Sequence, residues 1–171
     1  MKKFAFLAVL VLLAVSASAF DTTGFQIGIW PSRFQLVPDE INVSGLKINL
    51  PFSRNDEICG LDIGLASSSK KTAALQVNVF INRNHDEYSG IQASLINQNG
   101  NANGIILGLW NVTDDKTHGV EVGIVNGSTE FRGLQVGLIN YTEMMRGLQI
   151  GLVNIITESV VPVFPILNFC F

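Results

Sequence analysis

An all-β domain of tandem strand–turn units is the fold class this sequence predicts, on three observations. A short motif returns at near-constant spacing, residues inside each copy alternate with a period of two, and polar turn-forming segments separate the copies. The chain of 171 residues has room for one domain. Its 47% apolar and 15% charged residues exclude disorder, which needs low hydrophobicity and high charge. A net charge of −3 supplies no basic footprint for nucleic acid. Two histidines and two cysteines are too few for most metal frameworks.

The first element lies outside the repeats. Lys2 and Lys3 precede an apolar run from Phe4 to Val15, and Ala17-Ser18-Ala19 supplies a small-x-small cleavage pattern. This order predicts a secretory signal peptide over residues 1–19, with a run too short for a spanning helix of ~20 residues. The mature chain, residues 20–171, is then a single β-repeat domain. Cys59 and Cys170 would meet an oxidising compartment, 111 positions apart, and pairing depends wholly on whether the fold brings them together.

The repeat copies follow. GFQIGIWP starts at Gly24, GLKINLPF at Gly45, GLDIGLAS at Gly60 and ALQVNVFIN at Ala74. Then come GIQASLIN (Gly90), GIILGLWN (Gly104), GVEVGIVN (Gly119), GLQVGLIN (Gly133) and GLQIGLVN (Gly147). After the first step of 21, the starts are 14 to 16 residues apart. In GLQVGLIN one face carries Leu134, Val136 and Leu138, the other Gln135, Gly137 and Ile139, so each copy reads as a strand. The segments RNHDEYS, QNGNAN, VTDDKTH, GSTEFR and YTEMMR read as turns. Glycines four apart match the membrane-helix GxxxG spacing, but alternation by two argues against a helix. Gly137 and Gly151 are expected on a crowded strand face and Gly127 in a turn. Lys47 and Asp62 share one slot in adjacent copies and are expected to pair.

These tandem units resemble a bacterial family of exported surface-repeat proteins built from GLQIGLVN-type repeats. The resemblance covers nearly the whole mature chain, from GLKINLPFSRNDEICGLDIGLAS to the closing FPILNFCF. It implies a cell-envelope protein and carries over no catalytic residues. Together with the export pattern and the absent catalytic constellation, this makes the expected chain a non-enzymatic protein at the outer membrane or cell surface, with those surfaces as partners.

Two architectures satisfy the repeat. One is an antiparallel meander closing into an up-and-down β-barrel of about ten strands, supported by the alternating Val163, Pro165, Leu167, Phe169, Phe171 set. That set looks like the final-strand signal of outer-membrane barrels, although Pro165 is awkward in a strand. Against a membrane version, Leu148, Ile150 and Leu152 span only about 13 Å at ~3.3 Å per residue, where a lipid-facing band is ~25 Å tall. The alternative is a flattened β-solenoid, one coil per repeat, with Asn82, Asn97, Asn111, Asn126, Asn140 and Asn154 stacked as a ladder. Its weakness is a coil half such as QNGNAN, which offers a core one alanine. The meander is therefore the expected form.

No catalytic, cofactor-binding or metal-ligating residue is predicted. His85 and His118 sit in polar segments without convergent ligands, and no Ser-His-Asp order stands out. Asn42, Asn111, Asn126 and Asn140 open Asn-x-Ser/Thr sequons, three of them at one repeat position, which turn chemistry explains. The functional expectation is a structural envelope repeat protein. An adhesive or ligand-binding module using the variable turns, and a small pore or lumen-binding barrel, are the alternatives.

Overall fold

The computed structural model describes residues 22–29 and 37–170. The expected signal peptide and Phe171 lie outside them. Seven strands form one sheet in chain order: β1 (Thr22–Ile29), β2 (Asn42–Ala93), β3 (Ile96–Leu107), β4 (Trp110–Val122), β5 (Val125–Val136), β6 (Ile139–Ile156) and β7 (Val163–Cys170). The chain is all-β, and its repeats stack as the coils of a β-solenoid. β1 through β6 pair in parallel, and only β7 turns back antiparallel onto β6.

The antiparallel meander expected from the sequence is not formed. A parallel pair needs a crossover of about a dozen residues or more, and the rest of each coil supplies it. The polar segments between motifs are themselves strand: Asn97, Asn99 and Ala102 point inward within β3. The solenoid's apparent weakness is answered by a core that is largely polar.

The coil starting at Gly133 shows the plan. Leu134 and Val136 face outward around buried Gln135, and the chain turns at Gly137-Leu138. Asn140 and Thr142 point inward along a second side, then Glu143 and Met144 are both exposed as the alternation slips phase. Met145 points inward on a short third side. The second turn coincides with register shifts at Asn84/Glu87, Asn99/Ala102 and Thr113/Lys116.

Seven coils close at a glycine with positive φ, from +124° at Gly60 to +150° at Gly45, and Ala74 takes the same slot between Gly60 and Gly90. A Cβ on Gly133 would lie 1.9 Å from the carbonyl oxygen of Gly119 one coil below. Left-handed backbone and backbone-to-backbone contact together require glycine there.

Candidate functional site

Three inner rows and one outer face define what this solenoid presents. The first inner row runs Gln92, Ile106, Glu121, Gln135, Gln149 and Asn168 in strand register. Gln149 Nε2 donates to Gln135 Oε1 at 2.9 Å, and Gln135 Nε2 donates to Glu121 Oε2 at 2.9 Å. Below Ile106 the pattern recurs: Gln92 donates to Gln76 at 3.1 Å and Gln76 to Asp62 Oδ2 at 2.8 Å. Each amide run thus ends on a carboxylate, a group that accepts without donating when ionised.

Lys47 and Asp62 do share the buried slot, but they are joined through Ser67 rather than directly. Lys47 Nζ donates to Ser67 Oγ at 3.1 Å, and Ser67 Oγ donates to Asp62 Oδ2 at 2.6 Å. Asn49 also donates to Asp62. Burial pulls the Lys47 ammonium down to about 8, with Asp62 and then Asp39 opposing the fall. Burial pushes the Glu121 carboxyl up to about 7, against hydrogen bonds from Gln135 and Thr117.

The second inner row is the expected asparagine ladder. Asn82 donates to Asn97 at 3.1 Å; the steps Asn97–Asn111, Asn111–Asn126, Asn126–Asn140 and Asn140–Asn154 are each 2.8 Å. Its donation runs toward the C-terminus, opposite to the glutamine runs. Each of these five donors spends its second N–H on a backbone oxygen at the first turn: Ala93, Leu107, Val122, Val136 and Ile150. Three sequon asparagines, 111, 126 and 140, are therefore wholly inside.

The third row, Tyr88, Ala102, Thr117, Phe131 and Met145, carries much of the apolar core. Phe131, Met145 and Ile156 cluster with half-buried Cys170 against them. The apolar core is thin because most aliphatic residues lie outside.

The outer face follows from that inversion. Ile91, Ile105, Val120, Leu134, Leu148 and Phe169 form one outward row, and Ala93, Leu107, Val122, Val136, Ile150 and Leu167 the next. Ile91 is 45% exposed, Ile105 39% and Phe169 58%. Past the first turn a ridge continues the apolar surface with Phe80, Leu95, Leu109, Trp110, Leu138 and Leu152, all exposed. Neither row holds a charge. Sequence reasoning weighed Leu148, Ile150 and Leu152 as the lipid-facing band of a barrel, but it expected a solenoid to need inward apolar residues and so did not place this face outside a polar solenoid core. Gln recurring in one slot was the available signal.

The remaining residues named from sequence stay apart. His85 Nε2 lies 3.4 Å from Ser68 Oγ, beside a groove of about 460 Å³ lined in part by Arg54, Arg83 and Asp39. His118 is on the third side, next to Gly119. Cys59 precedes Gly60, and Cys170 lies on the strand beyond Gly147, seven strand spacings further on, about 34 Å away at ~4.8 Å per strand. That separation prevents a disulfide. Among the described residues no helix is long and apolar enough to cross a membrane, and no three metal-ligating side chains converge.

Comparison of the chain with protein-family models, curated proteins and solved structures finds no match.

Proposed function

We propose that this chain is a non-enzymatic, exported structural repeat protein of the cell envelope, held at the outer membrane or cell surface. The observation that carries the reading is the inverted solenoid, with its polar side chains spent on internal ladders and an uncharged aliphatic face turned outward. Such a stack is a scaffold whose length grows by one coil at a time. The export pattern of residues 1–19 and the resemblance to exported surface-repeat proteins support the placement.

Cell fractionation with protease shaving tests it. The mature chain should be recovered with the outer membrane or exposed at the surface, and replacing Lys2 and Lys3 with Glu should hold precursor in the cytoplasm. Recovery in the soluble periplasm or cytosol overturns the placement.

One observation favours a second reading, a binding module. The groove beside Arg54, Arg83 and His85 lies on a polar side of the stack, where side chains vary from coil to coil. Unchanged adhesion after replacing Arg83 and His85 would remove that reading.

A further inference from the structure

We infer that the outward aliphatic face and its ridge are a lipid-seating surface, and that the solenoid lies on a bilayer with its other two sides in water. This deepens the envelope reading by naming the partner, and it stands on four features of the structure.

Extent comes first. From Leu46 through Phe169 the rows cross nine stacked strands, a height of about 40 Å at ~4.8 Å per strand. The two rows are about 13 Å wide, so the face approaches ~500 Å² before the ridge is added, the upper range for a monomer's largest apolar patch.

Second is backbone satisfaction. Strands between β1 and β7 are paired on both sides, so across them the face asks lipid for no hydrogen bonds. The turns under the ridge are paired too: the Leu109 oxygen accepts from Ile124 and Val125, and the Ile124 oxygen from Leu138 and Ile139.

Third is shape. The apolar surface does not stop at the flat face but bends around the first turn through Leu95, Leu109, Trp110 and Leu138. A second copy laid flat would cover the two rows and leave the ridge in water. A fluid acyl phase covers both.

Fourth is charge along the opposite border. His118, Arg132 and Arg146 stand in register at the last residue before each coil's glycine. Glu130 faces them, paired to Arg132 at 3.0 Å and to Lys116 at 3.1 Å. Lys116, Arg132 and Arg146 outnumber Glu130 along these rows, while exposed Asp114, Asp115 and Glu143 stand further round the second turn. The positive border that suits anionic headgroups is therefore local to Arg132 and Arg146.

The experiment uses the folded mature chain with vesicles of phosphatidylcholine, alone and with added phosphatidylglycerol. The chain should float with both, and several-fold more tightly with the anionic mixture at low salt. Placing glutamates at Ile105 and Val122 should cut binding more than tenfold, while Gln98→Glu on the polar second side leaves it unchanged. Arg132→Gln with Arg146→Gln should abolish only the anionic preference; a preference that survives overturns the border's role.

A readout free of folding defects is Trp110, which becomes the sole tryptophan in Trp30→Phe. Its emission should shift to the blue with vesicles and be quenched by brominated acyl chains. A monomer that neither floats nor shifts overturns the inference. So does a stable dimer without vesicle binding, which would make the face a self-interface. Because vesicles need no cell, a chain that binds them yet fractionates to the cytosol would refute the placement and leave the surface standing.

Discussion

Glu121 shows most sharply what a single residue does here. It occupies the slot that glutamine fills at 76, 92, 135 and 149, and burial raises its carboxyl to about 7. The folded chain therefore holds this proton more tightly than the unfolded chain, whose carboxyl titrates near 4.5. Stability from this group is complete below pH 4.5 and is lost as pH rises through 7. Glu121→Gln should remove that loss, on the order of 3 kcal/mol between those limits. Urea midpoints at pH 4.5 and pH 8 measure it, and a variant no better than the parent at pH 8 would refute it. The glycines divide by what surrounds them. A Cβ on Gly137 would lie 2.7 Å from Asn126 Nδ2 and 2.8 Å from the Gly123 oxygen, so Gly137→Val should cost about 1–3 kcal/mol through overpacking. Gly127, expected in a turn, lies inside β5 with open space above it, so Gly127→Val should be nearly neutral. Comparable thermal midpoints for the two variants would mean that Gly137 is not crowded.

The ladder is the element that replaces a conventional core. Asn126 accepts from Asn111, donates to Asn140 and donates to the Val136 oxygen. Asn126→Ala leaves buried partners unpaired at ~1–3 kcal/mol for each group, so a loss of about 2–4 kcal/mol is expected by chemical denaturation. Asn126→Asp should be as damaging at neutral pH, because a carboxylate cannot donate to Asn140. A loss below 1 kcal/mol for either variant would show that water replaces the ladder. The opposite polarity of the asparagine and glutamine runs has a local cause. The glutamine runs end on Asp62 and Glu121, which accept, whereas the asparagines take their direction from the backbone oxygens they also serve.

At the scale of the whole molecule, coils contact mainly their neighbours, with Asn49 reaching across the Gly60 coil to Asn78 at 3.0 Å, so stability is close to a sum over coils and their interfaces. Deleting Gly133–Arg146, one 14-residue coil, joins Arg132 to Gly147 and puts Gln149 over Glu121 and Asn154 over Asn126. The shortened chain should fold with the same β circular dichroism and a lower denaturant midpoint. Loss of β signal would contradict independent stacking. The sequence by itself determined the all-β class, the 14- to 16-residue repeat and the alternation inside each motif, because period-two alternation and recurrent glycine are local consequences of chain geometry. That the polar segments between motifs are also strand was not legible. Leu134 and Val136 on one face and Gln135 on the other were legible in that way; Gly137, expected on the face of Gln135, lies in the turn after β5. Which face is the interior was not, since alternation is unchanged when inside and outside are exchanged. Tertiary structure decided it by parallel stacking in register, which sets most buried amides 14 to 16 residues from a partner amide and ends each glutamine run on a carboxylate. A buried amide so paired costs little, and the narrow coil holds a short row of side chains at each level, leaving the aliphatic residues outside.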